Sequence, residues 1–271
     1  MIGPFGEEAP VLMPIAGGQA AVHSAARPDR RGRNEDCCAV LPVGDDAAVL
    51  VVADGCGGHA GGERASRLAV ECLAARVAEA PDRESLRGAI LDGFEEANRA
   101  VLALGVGAGT TLVVVEINSG TARTYHAGDS VALVVGQRGR RRLETLSHAP
   151  VAHAVEAGLL DEAEALHHED RTIISNLIGV SDMRVEIGSP LALAPRDTVV
   201  LATDGVTDNL ELRELVDLVR AGPLEHCARQ VVEACRLRMT AVEPGRPSHP
   251  DDATFVLYRQ EAPRGTIRSS V

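Results

Sequence analysis

Carboxylates recur in this chain at the ends of apolar runs. They stand in Arg31-Gly32-Arg33-Asn34-Glu35-Asp36, in Val51-Val52-Ala53-Asp54-Gly55, in Val199-Val200-Leu201-Ala202-Thr203-Asp204-Gly205 and in Pro250-Asp251-Asp252-Ala253-Thr254. A strand delivers its terminal side chain to the rim of a sheet, so acids at several strand ends can converge on one point. Converging carboxylates repel one another unless cations neutralise them. Donor sets made only of oxygen suit hard cations such as Mg²⁺ or Mn²⁺. The pattern therefore implies an oxygen-ligated metal centre drawn from distant segments. For any one of these acids, the alternative is a turn-forming or capping residue on the surface.

The elements that must position them follow from periodicity. Strand-like runs cover about 20–26, 37–42 and 47–53, and a glycine-dense loop follows from Gly55 to Gly62. Ala65, Leu68, Ala69, Cys72, Leu73 and Val77 then recur at helical spacing, and Leu86, Ile90, Phe94, Ala97 and Val101 form the stripe of a second helix after the break at Pro81 and Asp82. Strands are expected at 110–117, 121–127, 130–135 and 141–146. Asn118-Ser119-Gly120 and Gly136 to Gly139 are the hairpin turns. Residues 150–180 interrupt the strand series and read as a flap lying over one sheet. Strands return near 184–188 and 197–203, helices at 209–220 and 224–240, and a last strand at 254–258. This pattern predicts an α+β fold, a four-layer sandwich of two stacked antiparallel sheets flanked by helices. It predicts one domain over 20–260, a loose N-terminal leader over 1–19 and a C-terminal tail over 261–271.

Composition bounds the function. The chain has 271 residues, 45% of them hydrophobic, which excludes disorder and allows a sizeable core. A formal charge of −12 argues against non-specific nucleic-acid binding. No apolar run reaches the length of a membrane span, and the N-terminus lacks the basic region of a signal peptide. The six cysteines lack CxxC spacing and read as free thiols in a reducing cytoplasm.

From about Ala21 to Tyr258 the chain resembles the metal-dependent serine/threonine protein phosphatases of the PPM (type 2C) family in their bacterial form. The matching segments are Arg31-x-x-Asn34-Glu35-Asp36, Asp54-Gly55-x-Gly57-Gly58-His59-x-x-Gly62-Glu63, Gly109-Thr110-Thr111, Gly128-Asp129-Ser130, Asp204-Gly205-x-x-Asp208 and Asp251-Asp252-x-Thr254. Any one alone is weak; together and in order they are specific.

The resemblance implies that Asp54 bridges two ions, that Gly55 offers its carbonyl to one of them, and that Asp204 and Asp251 bind the first. Glu35 would serve the second, mostly through water, and Asp36 would hold metal-bound waters. Asp129, with Asp204 and Asp208, matches a third site, although Asp208 is equally placed to cap the next helix. Asp252 stands where many members have Asn, and reads as steadying its loop. Arg31, with Arg30 and Arg33 as neighbours, is the matched clamp for the substrate phosphate. Two metals roughly 3.5–4 Å apart would hold a hydroxide that attacks phosphorus in line, with no covalent phosphoenzyme.

Eukaryotic members carry a histidine as general acid directly after Asp-Gly; here that residue is Cys56, so Cys56, His59 and water all stay open. Most members have arginine after Gly-Asp-Ser, and here it is Val131. Arg138, Arg140, Arg141 and Arg142 read as a solvated hairpin tip, and His167 and His168 lack further ligands for zinc. The expected partners are phosphorylated proteins, serine/threonine kinases or their substrates. The competing readings are a phosphoprotein-binding pseudophosphatase and a metallohydrolase of small phosphate esters; no P-loop supports a nucleotide site.

Overall fold

The computed structural model describes residues 8–28, 34–56, 60–161, 164, 168, 170, 173–241 and 243–261. Among them, strands β1 (Val11–Ile15), β2 (Gly18–Ala25), β12 (Thr198–Ala202), β13 (Ala253–Gln260), β8 (Val131–Val135) and β9 (Arg141–Glu144) form one antiparallel sheet in the order β1-β2-β13-β12-β8-β9. The second sheet runs β10 (Glu186–Ile187), β7 (Thr121–Ala127), β6 (Leu112–Asn118), β4 (Ala47–Cys56), β3 (Asp36–Val43). The short β11 (Leu191–Ala192) joins β7 and β5 (Gly109–Thr110) joins β4.

Period-two alternation stacks these sheets. Along β4, Ala48, Leu50 and Val52 enter the core between the sheets, while Val49, Val51 and Ala53 face helices α1 (Ala60–Glu79) and α2 (Leu86–Leu102). Along β12, Val199 and Leu201 face the inter-sheet core. Val200 and Ala202 face α5 (Leu212–Val219) and α6 (Leu224–Thr240). The result is three apolar layers between four layers of secondary structure. The stripe on α2 is fully used: Leu86, Ile90, Phe94, Ala97 and Val101 are all buried. Truncating Phe94 to alanine would cost roughly 3–5 kcal/mol.

Turn chemistry fixes the hairpin registers. Ser119 and Gly120 both have positive φ, 49° and 77°, which places Asn118 opposite Thr121 in a two-residue turn of the mirror-image kind.

Three expectations change. The leader predicted over 1–19 is not loose through its length, because residues 11–15 pair with β2 as the edge strand β1. An edge position tolerates Pro14, whose missing N–H would break an interior ladder. Ala16 is buried at the turn, and the Tyr258 hydroxyl donates to its carbonyl at 2.8 Å. Residues 1–7 lie outside the described residues, as do 262–271 of the predicted tail. The helix predicted over 209–220 is instead a short turn α4 (Asp204–Thr207) followed by α5, which starts after the extended Glu211. The arginine tip is not wholly solvated: Arg142 pairs with the buried Asp197 and donates to the Ala192 carbonyl at 3.0 Å.

In the flap region, α3 (Pro150–Glu156) is helical, and the return of the chain is pinned. Ile178 exchanges backbone hydrogen bonds with Thr110, and the Asn98 side chain accepts from Gly179 N–H and donates to Val180 O.

Candidate metal centre

Antiparallel pairing brings the predicted acids together. The start of β3 lies beside the end of β4, with Asp36 directly opposite Asp54. Both share the parity of Cys38 and Val52, so they point into the end of the inter-sheet layer. In the other sheet, β12 ends just before Thr203 and Asp204, and Asp251 and Asp252 precede β13. The two segments are stitched by Thr203 N–H to Thr254 O at 3.0 Å.

Asp54 and Asp204 are buried side by side, close enough for each carboxyl to act on the other. Burial pushes Asp54 well above the usual carboxylate range, and the charges of Asp204, Asp36 and Asp129 add to it. Burial likewise raises Asp204, helped by Asp129, Asp208 and Asp251. Asp36 is raised by burial, opposed by the Thr254 and Thr203 hydroxyls, with Asp252 and Asp204 pushing further up. Thr203 donates to Asp36 at 3.0 Å. The Ser24 and Thr254 hydroxyls bond each other at 2.8 Å, and Asn34 Nδ2 donates to Ser24 at 2.8 Å. Asn34 Oδ1 accepts the Asp36 N–H at 2.9 Å, so the whole Asn34–Asp36 segment is set by this chain of bonds.

Glu35 and Gly55 meet over Gly62. A β-carbon on Gly62 would strike both the Glu35 carboxylate and the Gly55 carbonyl oxygen, so these two oxygens converge on a space that only glycine leaves open. Gly55 has its own constraint: a β-carbon there would strike the carbonyls of Gly62 and Glu35. Glu35 O is held by the Gly55 N–H and the Ser66 hydroxyl, at 3.1 and 2.6 Å. Asp252 steadies the same segment, as expected. Its two oxygens accept Arg27 N–H at 2.8 Å and Glu35 N–H at 2.6 Å.

Asp129 lies on the crossing from β7 to β8. Gly128 takes φ +116°, and a β-carbon there would strike Thr111. Thr111 bonds Ser130 at 2.7 Å and accepts the Asp54 N–H at 2.9 Å, which links the crossing to the end of β4. Burial, with the charge of Asp208, raises Asp129 to about 6. Its Oδ1 is buried without a hydrogen-bond partner.

These observations test the fit of hard divalent cations. An orphaned carboxylate oxygen, a buried pair of mutually repelling acids and an open two-oxygen cradle all come from oxygen donors, and each would be relieved by positive charge. The residues fit.

Arg31, Arg30 and Arg33 lie outside the described residues, as do Gly57, Gly58, His59 and His167. Asp208 follows α4 and does not cap α5, whose N-cap is Glu211. Asp251 Oδ1 accepts the Asp252 N–H at 2.9 Å. Burial and the Asp129 charge push the Cys56 thiol up to about 11.

One cluster escaped the sequence reading. Among the described residues, ring nitrogens of His126 and His148 and a Glu186 oxygen lie within 4.8 Å of one another. The spacing suggests a metal triad, but the proton positions oppose it. His148 Nδ1 faces two donors, Gly128 N–H at 3.0 Å and Asn176 Nδ2 at 3.1 Å. Asn176 is oriented by Arg184, whose N–H bonds its oxygen and whose carbonyl takes its amide. Nδ1 is therefore an acceptor, Nε2 carries the proton, and Nε2 donates to Glu186 at 3.3 Å. The only sequence signal was two histidines on separate segments; the strand pairing of His126 with Glu186 is what joins them.

The chain resembles known proteins in sequence and in fold. The family model for protein phosphatase 2C matches residues 28–237. The serine/threonine phosphatase stp of Listeria welshimeri is 27% identical over 213 residues, covering 74% of this chain and 84% of that protein. The serine/threonine protein phosphatase PstP of Mycobacterium tuberculosis is 28% identical over 243 residues, 86% of this chain and 44% of that protein. The structure of the Streptococcus agalactiae serine/threonine phosphatase superposes with TM-score 0.78 at 27% identity, covering 90% of this chain and all of that one. The fold also matches the catalytic domain of PstP, solved in complex with two manganese ions, with TM-score 0.68 at 23% identity over 90% of this chain and 98% of that one.

Proposed function

Since the chain belongs to the protein phosphatase 2C family, we propose that it hydrolyses phosphoserine and phosphothreonine in proteins, using divalent cations held by the centre described above. The observation that carries the reading is the meeting of Asp36, Asp54 and Asp204 from two sheets, with the orphaned oxygen of Asp129 beside them. Asp54, Asp204, Asp251 and the Gly55 carbonyl would hold the first two ions together with Glu35, and Asp129 a third. Mg²⁺ and Mn²⁺ both suit these donors; manganese in PstP supports the second choice. Bound there, the cations supply Lewis acidity toward the phosphoryl oxygens and make water nucleophilic near neutral pH.

The chain's own groups do the rest. Asp54 sits on a rigid strand end, its N–H fixed by Thr111 and its carbonyl by Thr110 at 2.8 Å. Asp36 is held as an acceptor by Thr203 and Thr254 and is placed to orient water. Arg31, three residues before Asn34, is our candidate to clamp the phosphate with its guanidinium fork. Direct attack by water without a phosphoenzyme is supported by the hydroxyls nearby. Thr110, Thr111, Ser130, Ser66 and Thr203 are all committed to hydrogen bonds. We place the enzyme in the cytoplasm on its six free thiols. No helix among the described residues is long and apolar enough to cross a membrane. Phosphorylated kinases or their substrates are the partners we infer.

The test is phosphate release from a phosphothreonine peptide with Mn²⁺, with Mg²⁺ and with chelator. Release is expected only with metal. Release that survives exhaustive chelation would refute the metal centre. No release under any condition would favour a phosphoprotein-binding role.

A further inference from the structure

A groove of about 780 Å³ opens directly from the centre, with Asp129, Asp204 and Asp208 at one part of its lining. Its volume is far more than a phosphorylated side chain needs, so it has room for residues flanking that side chain. Val131, Leu146, Val151, Val155 and Leu212 supply apolar wall from β8, the β9–α3 connection, α3 and α5. The charged lining away from the centre is one-sided. Glu156 and Glu211 are exposed acids, Asp161 adds to them, Glu144 is paired with Arg141, and Arg213 is the cation among the lining residues. Val131 lies two residues from Asp129 and lines the groove. An arginine there would set a cation in the wall; valine leaves it apolar.

We propose that this groove selects phosphoprotein segments in which an apolar residue neighbours the phosphorylated one and lysine or arginine lies beyond it, with Val131 as the specificity-determining residue. The proposal rests on the phosphatase reading above and names its substrate class. The apolar neighbour covers the partly exposed Val131–Val155–Leu212 wall. The basic residue meets Glu156 and Glu211, which contribute orientation and encounter rate more than raw affinity. The net charge of −12 favours a cationic segment over an acidic one at long range.

The experiment compares kcat/KM for three phosphothreonine peptides of equal length, with apolar-basic, Gly-Ser and acidic flanks on both sides. Each is divided by kcat/KM for p-nitrophenyl phosphate, which has no flanks, in the presence of Mn²⁺. The wild-type enzyme should favour the apolar-basic over the acidic peptide by about tenfold. Val131→Arg should cut that ratio at least about fivefold, whereas Val131→Leu should keep it. The surface double variant Glu156→Lys/Glu211→Lys should cut it through KM, which guards against misfolding of the Val131→Arg protein. A ratio within about twofold of unity in the wild type, or one unmoved by both charge-changing variants, overturns the proposal. Absence of hydrolysis of p-nitrophenyl phosphate would defeat the phosphatase reading itself, and the proposal with it.

Discussion

Asp36 and Asp54 face each other directly across the β3–β4 pair, on the side that closes the inter-sheet core. Like charges in that position repel, and burial removes the water that would screen them. The Thr203 and Thr254 hydroxyls answer Asp36, while Asp54 faces the further charge of Asp204. Without cations, the ends of these strands are therefore the place where the fold gives up stability for a site.

Asp54→Asn should expose that exchange. The amide replaces a buried carboxyl crowded by other acids with a neutral group of nearly the same shape. The metal-free variant should melt a few degrees higher than wild type, while its turnover of phosphothreonine peptide falls about 1,000-fold. A lower melting temperature in chelator would show that Asp54 is held by partners rather than strained by them.

Stability of the metal-free protein should fall as pH rises through the mildly acidic range. Asp129 is raised from 3.8 to about 6, and Asp36, Asp54 and Asp204 are raised as well, so the folded state binds more protons than the unfolded chain. That contribution is greatest below the unfolded value and is lost as pH climbs to the folded one. Divalent metal at a hundred times its Kd should restore about 2.7 kcal/mol at pH 7.5, roughly 5–10 °C in melting temperature. Parallel melting curves against pH with and without Mn²⁺ would contradict this.

Thr203→Val keeps the shape but removes the hydroxyl that donates to Asp36 and accepts Thr254 N–H at 3.1 Å. We expect a loss of about 1–3 kcal/mol in stability and about tenfold in kcat, with Thr203→Ser close to wild type. Equal losses in both variants would make the methyl group, rather than the hydroxyl, the part that matters.

Asp252→Asn reads as mild from the sequence, because asparagine is common there in the family. The geometry says otherwise, since both oxygens accept backbone N–H groups. An amide can satisfy only one of them, so the variant should lose about 1–3 kcal/mol and bind metal less tightly through displaced Glu35. A melting temperature within a degree of wild type would restore the milder reading.

Asp252 also marks how far the sequence was legible. The four acidic segments were readable because strand ends carry local signals, an apolar run and then Asp-Gly. The stacked sheets followed from alternation such as Ala48 to Ala53 along β4. Strand β1 was missed because Pro14 argues against an interior strand and says nothing against an edge. The hydrogen-bond chain from Asn34 through Ser24 and Thr254 to Asp36 spans 230 residues of separation between its middle members, and no local pattern encodes it. The Asp129 environment was half legible. Its motif was visible, but its unpaired oxygen depends on packing against Thr111 and Ser130.

The central claim is that these carboxylates form one cation-binding centre on which phosphate-ester hydrolysis depends. Manganese stoichiometry, read by electron paramagnetic resonance on the same samples assayed for phosphothreonine hydrolysis, tests it most directly. The wild-type chain should hold at least two Mn²⁺ ions, Asp54→Asn and Asp204→Asn at most one, and activity should track the filled pair across a titration. Full occupancy in Asp54→Asn, or turnover in protein that holds no Mn²⁺ or other divalent cation, would contradict it.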